Sequence, residues 1–216
     1  MTYQAVIFDL DGTLVDSLAD IADSMNYTLE QFGFPTHPYE SYKYFVGTGL
    51  KNLVIASIPE KSKNEAIVES CFEVLVDRYK RNYAVKTLPY PGITELLDKL
   101  DEKQLKKAIL SNKADNLVQQ VYQALLTPWH FELIMGTRED FPRKPDPQSA
   151  LYIAREMGIL PENILYLGDT NVDMKTANAA GMYAVGVTWG FRKRDELAAN
   201  GAQLIIDHPS ELFHLI

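Results

Sequence analysis

Six short, largely apolar runs, at residues 5–8, 107–110, 132–135, 164–167, 184–187 and 203–206, constrain this chain more than any other feature. Each is too short for a buried helix and gives way to polar or turn-forming residues, as strands covered on both faces do. Between the later runs the period becomes helical. Leu117, Val118, Val121 and Leu125 share one face, as do Ala150, Leu151 and Ala154 ahead of Gly158, and Met174, Ala177 and Ala180 ahead of Gly181. Strands alternating with helices predict an α/β fold, a doubly wound, mainly parallel sheet joined by right-handed crossovers.

The first run breaks that rhythm, because no second strand follows until residue 107. Leu18, Ile21, Met25, Leu29 and Phe32 form a helical stripe that ends at Gly33 and Pro35, and a shorter helix is expected at residues 50–58. Ser62-Lys63-Asn64-Glu65 has the form of a capping box opening a helix through Cys71, Leu75 and Tyr79. Residues 16–87 therefore read as a helical domain inserted into an α/β core formed by 1–15 and 88–216, with Leu88-Pro89-Tyr90-Pro91-Gly92 as a stiff hinge candidate.

With 216 residues, 46% of them hydrophobic, the chain can bury a substantial core. A formal net charge of -8 argues against nucleic-acid or anionic-membrane partners, which need clustered Lys and Arg, and points to a small molecule. Cys71 is the single cysteine and sits in apolar helical spacing, which fits a packed thiol and a reducing, cytoplasmic setting. Met1-Thr2-Tyr3-Gln4 lacks the basic region of a signal peptide, and no apolar stretch approaches the ~18 residues of a membrane span.

The first strand runs into Asp9-Leu10-Asp11-Gly12-Thr13-Leu14-Val15-Asp16. Ligands of open parallel sheets bind at the carboxyl ends of the strands, and the polar residues collect there. Ser111-Asn112-Lys113 follows the second strand, Gly168-Asp169-Thr170-Asn171-Val172-Asp173 the fourth, and Lys144 lies in the proline-stiffened loop Phe141-Pro142-Arg143-Lys144-Pro145-Asp146-Pro147 after the third. Two carboxylates 4 Å apart repel by about 4 kcal/mol at an effective dielectric near 20. A hard divalent cation relieves this, and carboxylates with water suit Mg²⁺. A calcium loop starting at Asp9 fails, because its sixth and twelfth positions are Leu14 and Asp20 rather than Gly and Glu. Carboxylates, a cation, hydroxyl and amide donors and a lysine together suit phosphoryl transfer.

Asp9-x-Asp11-Gly12-Thr13, Ser111 after a strand, Lys144 before Pro145, and Gly168-Asp169 followed by Asp173 resemble, in order, the four motifs of the haloacid dehalogenase superfamily. The resemblance covers nearly the whole chain. The helical insertion looks like the cap of the phosphoglycolate phosphatase-like branch, on a Rossmann-like core. The resemblance implies that Asp9 is a nucleophile forming an aspartyl-phosphate and that Asp11 is the general acid and then base. It further implies that Asp9, the Asp11 carbonyl, Asp169 and Asp173 hold Mg²⁺, and that Thr13, Ser111, Asn112 and Lys144 serve the phosphate. Gly47-Thr48-Gly49 is similar to the loop at which such caps meet substrate, although an ordinary helix-start turn explains it as well. The expected activity is hydrolysis of a small phosphorylated metabolite like 2-phosphoglycolate. The alternatives are a sugar phosphomutase like β-phosphoglucomutase, a pyrophosphatase or nucleotidase, and a receiver-type signalling module, whose phosphoacceptor ordinarily ends a middle strand and which lacks a long insertion. His37, His130, His208 and His214 lack metal-ligand spacing, and Trp189 and Phe191 read as packing residues. Asp16 is expected to cap a helix or serve the hinge.

Overall fold

The computed structural model describes residues 3–216; part of the reading of the amino terminus, Met1 and Thr2, lies outside the described residues. The chain divides into two compact units, one reaching Asp16 and resuming at Pro89–Ile216, the other Ser17–Leu88.

In the larger unit, strands β1 (Ala5–Phe8), β4 (Lys106–Ala114), β5 (Leu133–Thr137), β6 (Ile164–Gly168), β7 (Tyr183–Val187) and β8 (Leu204–Ile206) form one sheet in the order β5-β4-β1-β6-β7-β8. All its pairings are parallel. β1 is fully buried, as a central strand covered on both faces must be. The helices of this unit are α5 (Ile93–Glu102), α6 (Asp115–Leu125), α7 (Gln148–Met157), α8 (Asn171–Ala179) and α9 (Arg194–Ala199). α5 buries Ile93, Leu96, Leu97 and Leu100, and α7 buries Ala150, Ile153, Ala154 and Met157, the i, i+3, i+4, i+7 stripe in both cases. The chain first builds outward from β1 through β4 to β5, then crosses to β6 on the other side and builds outward again. The crevice at the carboxyl ends of β1 and β6 is therefore the topological switch point, where open α/β sheets bind ligands.

β4 extends four residues beyond the expected strand and shifts register between Leu110 and Ala114. Its polar end, Ser111-Asn112-Lys113, is buried, which is tolerable because these polar groups find partners. β2 (Val15–Asp16) and β3 (Leu88–Pro89) form a two-stranded ribbon where the chain leaves and rejoins this unit. Asp16 is not a helix cap. It lies in β2, accepts a hydrogen bond from Tyr90, and leaves the N-cap of the first helix to Ser17.

The smaller unit consists of α1 (Leu18–Gln31), α2 (Tyr39–Phe45), α3 (Leu50–Ser57) and α4 (Glu65–Asn82). Ile21, Met25 and Leu29 of α1 and Val68, Cys71, Leu75 and Tyr79 of α4 supply much of its core. The expected capping box at Ser62 does not form. Asn64 caps α4, its side chain accepting from the Ile67 amide, while Ser62 ends a short 3₁₀ turn. Asp20, buried in α1, accepts from the amides of Val85, Lys86 and Thr87 and from the Thr87 hydroxyl, fixing the returning chain. His37 is bound through Nε2 to the Ser57 carbonyl at 2.8 Å and stacks edge-on with Tyr42 and Phe45. Gly47, Thr48 and Gly49 link α2 to α3, the Thr48 carbonyl accepting from Asn52. Among the described residues, no helix is long and apolar enough to cross a membrane.

Candidate active site

Asp9 leaves β1 with its amide donating to the Leu167 carbonyl of β6, so its side chain stands at the switch point. The chain then folds tightly. The carbonyl of the buried Leu10 accepts from the amides of Thr13, Leu14 and Val15. Gly12 takes φ +88, and a Cβ there would lie 2.3 Å from Asp169 Oδ2, so both the turn and the approach of Asp169 demand glycine.

Asp9, Asp169 and Asp173 are buried, and each can offer an oxygen within 4.8 Å of the others'. Lys144, equally buried, donates to Asp9 Oδ1 at 2.9 Å, Asp173 Oδ1 at 2.7 Å and the Leu110 carbonyl at 3.0 Å. Asp173 closes the N-terminal turn of α8, its Oδ2 accepting from the Thr170 amide and hydroxyl at 3.1 and 2.5 Å. Asp169 accepts from the Phe191 amide at 2.7 Å and the Thr13 hydroxyl at 3.3 Å.

One ammonium against three carboxylates leaves two negative charges uncompensated. Burial pushes the Asp9 carboxyl up to about 7; Lys144 opposes that rise, and Asp173 and Asp11 add to it. Burial likewise raises Asp169 well above the usual carboxylate range, reinforced by Asp173 and Asp9 and opposed by the Phe191 amide and Arg192. Burial pulls Lys144 downward, but Asp173 and Asp9 outweigh it and hold the ammonium well above its ordinary value. The ammonium is the fixed charge of this group, and the carboxylates share the excess. An all-oxygen donor set two charges in excess matches a hard divalent cation, so the residues present fit Mg²⁺.

Asp11 stands outside this carboxylate group. Its side chain is gripped by Lys113 Nζ at 2.6 and 2.7 Å. Lys113 carries no role in the sequence pattern alone. Its partner lies 102 residues away in the sequence, so no local pattern marks it. Asn112, expected at the phosphate, bonds the backbone of Lys144, accepting from its amide at 3.0 Å and donating to its carbonyl at 3.1 Å. Thr13, likewise expected at the phosphate, is fully buried with its hydroxyl on Asp169. Ser111 is buried and accepts from the Lys113 amide at 3.3 Å.

The loop after β7 closes the group from another side. Trp189 donates to the Thr13 carbonyl at 3.0 Å, and a Cβ on Gly190 would lie 2.3 Å from the Gly12 carbonyl oxygen and 2.5 Å from Asp169 Oδ2. Neither Gly190 nor the Phe191 amide stands out in the sequence, because both act through backbone contacts between distant segments.

The model of a family described as haloacid dehalogenase-like hydrolase matches residues 6–187. The chain belongs to the haloacid dehalogenase-like hydrolases. Phosphoglycolate phosphatase from Chromobacterium violaceum is 34% identical over 99% of this chain and 96% of its own length. Phosphoglycolate phosphatase from Aquifex aeolicus is 31% identical over the same shares. A crystal structure described as a predicted phosphoglycolate phosphatase, from Haemophilus somnus, superposes with a TM-score of 0.92 at 25% identity, covering 100% of this chain and 98% of that one. This haloacid dehalogenase-like hydrolase is a phosphoric monoester hydrolase.

Proposed function

We propose that the chain is a Mg²⁺-dependent phosphatase that hydrolyses a small phosphate monoester through a phosphorylated Asp9. The observation that carries this is the buried trio Asp9, Asp169 and Asp173 around Lys144, beside a separate, lysine-bound Asp11. Asp9, the Asp11 backbone carbonyl, Asp169 and Asp173 would hold Mg²⁺. When bound, the ion screens the approach of one anion to another and stabilises charge on the phosphoryl oxygens.

The chain's own groups then divide the work. A carboxylate oxygen of Asp9 attacks phosphorus while the bond from phosphorus to the ester oxygen breaks. Asp11, aimed by Lys113, gives its proton to the departing alkoxide. The ionised Asp11 then takes a proton from a water whose oxygen attacks the same phosphorus, and inorganic phosphate leaves Asp9 free. Lys144 and Ser111 hold the phosphoryl oxygens throughout. Asn112 and Thr13 we place one step back, with Asn112 fixing Lys144 and Thr13 fixing Asp169.

The names of the relatives at 34% and 31% identity favour 2-phosphoglycolate as substrate. Selectivity we assign to the helical unit as a cap, with Gly47, Thr48 and Gly49 as its candidate loop. The test is phosphate release from 2-phosphoglycolate, p-nitrophenyl phosphate and a panel of phosphorylated metabolites. Release should require Mg²⁺ and vanish in Asp9→Asn; release indifferent to chelator or to that substitution would overturn the proposal.

A further inference from the structure

The loop after β7 grips the site from two sides. β7 lies two places from β1 in the sheet, so roughly 10 Å separates the two strands at about 4.8 Å per pairing. Trp189 crosses that gap. Its indole Nε1 donates to the Thr13 carbonyl at 3.0 Å, a residue 176 positions away in the sequence. Two residues further on, the Phe191 amide donates to Asp169 Oδ2 at 2.7 Å. One short segment thus holds both the turn after β1 and the carboxylate that follows β6.

That turn carries the Asp11 carbonyl, and it closes on itself through the Leu10 carbonyl, which accepts from the amides of Thr13, Leu14 and Val15. Its distance from Asp169 is a separate matter. The facing walls are glycine on both sides, Gly12 and Gly190, whose missing Cβ atoms permit the close approach without fixing it. The Thr13 hydroxyl reaches Asp169 at 3.3 Å, a long bond. The indole bond is shorter and comes from a rigid, planar side chain with a single donor. Thr13 is fully buried, so its carbonyl pays for the loss of that donor.

We propose that Trp189 is a positioning residue for the metal-binding set: through the Thr13 carbonyl it holds the Asp11 carbonyl in place against Asp169. The proposal rests on the Mg²⁺ reading given above. Trp189 reads as a packing residue in the sequence, yet this task belongs to its N–H and not to its ring.

Trp189→Phe keeps an aromatic ring and removes the N–H. Thermal denaturation over a range of Mg²⁺ concentrations, without substrate, gives the concentration that produces half of the rise in Tm. In the variant that concentration should increase about tenfold, the worth of one hydrogen bond. The Mg²⁺ needed for half-maximal hydrolysis of p-nitrophenyl phosphate should increase in step. A packing role predicts a lower Tm at every Mg²⁺ concentration with the half-rise concentration unchanged, and that result overturns the proposal. Should Trp189→Phe fail to fold, Trp129→Phe carries the test. It removes the other of the two tryptophans, whose indole is bound to Asp98 of α5, and leaves Trp189 as the only indole emitter. Trp189 emission should then change over the Mg²⁺ range that raises Tm, and emission indifferent to Mg²⁺ over that range overturns the proposal. A wild type whose Tm and activity both ignore Mg²⁺ overturns the metal reading itself, whereas a wild-type response retained in full by Trp189→Phe overturns Trp189 alone.

Discussion

Gly190→Ala adds a single methyl group where three segments meet. Its Cβ would lie 2.3 Å from the Gly12 carbonyl oxygen, 2.4 Å from Asp169 Cβ and 2.5 Å from Asp169 Oδ2. Ordinary contacts between non-bonded carbons lie near 3.5–4.0 Å, so a shift on the order of 1 Å is required. No flexible side-chain tip can absorb it, because two of the three atoms belong to backbone or to the root of a buried side chain. Overpacking of this kind costs roughly 1–3 kcal/mol, and in a chain of this length each kcal/mol lowers Tm by about 2–4 °C. We therefore expect Tm to fall by about 2–12 °C in chelator. A second effect separates this site from any other tight spot. Moving Asp169 disturbs its bonds to the Phe191 amide at 2.7 Å and the Thr13 hydroxyl at 3.3 Å, so the rise in Tm that the proposed Mg²⁺ site predicts for the wild type should shrink or vanish in the variant. Thermal denaturation followed by dye fluorescence, with chelator and with saturating Mg²⁺, measures both. A Gly190→Ala variant with wild-type Tm and a wild-type Mg²⁺ response would refute the steric and metal-site reasoning together.

The raised Asp9 carboxyl has a pH signature in metal-free protein. Its folded value near 7 exceeds its ordinary 3.8, so its contribution to stability is complete below about 4 and is lost as pH rises through 7. In chelator, Asp9→Asn should thus gain stability relative to wild type between pH 5 and 8; a constant difference in Tm across that range contradicts the assignment. Lys113→Met frees Asp11 from bonds of 2.6 and 2.7 Å, and kcat should fall about tenfold for alkyl phosphates but less for p-nitrophenyl phosphate, whose leaving group needs little proton. Equal losses on both substrates count against that role. Asp20→Ala leaves the buried amide and hydroxyl of Thr87 without their acceptor, at about 1–3 kcal/mol for each group left unsatisfied, and frees the amides of Val85 and Lys86 to water. A denaturant midpoint unchanged from wild type would show that Asp20 does not anchor the returning chain.

Much of the architecture is legible because its signals are local. Ala5–Phe8 is apolar throughout, so β1 announces itself, and Gly158 and Gly181 mark helix ends by their left-handed φ of 68 and 72. The carboxylates that meet at the switch point are legible from strand ends alone, because topology carries Asp9 and Asp169 to adjacent strands β1 and β6. What stayed hidden depends on tertiary partners. The polar end of β4 resembles a loop until Lys113 finds Asp11, 102 residues away, and Asn112 finds the backbone of Lys144. Ser62 fits a capping box, yet Asn64 wins because its side chain bonds the Ile67 amide at 3.0 Å. Gly190 is chosen by a steric contact with Gly12 and Asp169, and no local pattern encodes that.

The central claim is that Asp9 carries the phosphoryl group. Asp11→Asn should retain the attack on p-nitrophenyl phosphate, which needs little acid assistance, while losing the base that activates water for the second step. Acid quench of that variant during its first turnover with Mg²⁺ present, followed by peptide mass spectrometry, reads the result directly. The account predicts one added phosphoryl group on the peptide bearing Asp9, absent when Asp9→Asn is combined with Asp11→Asn. Nitrophenol release with no phosphorylated peptide, or with the phosphoryl group on another residue, would contradict it.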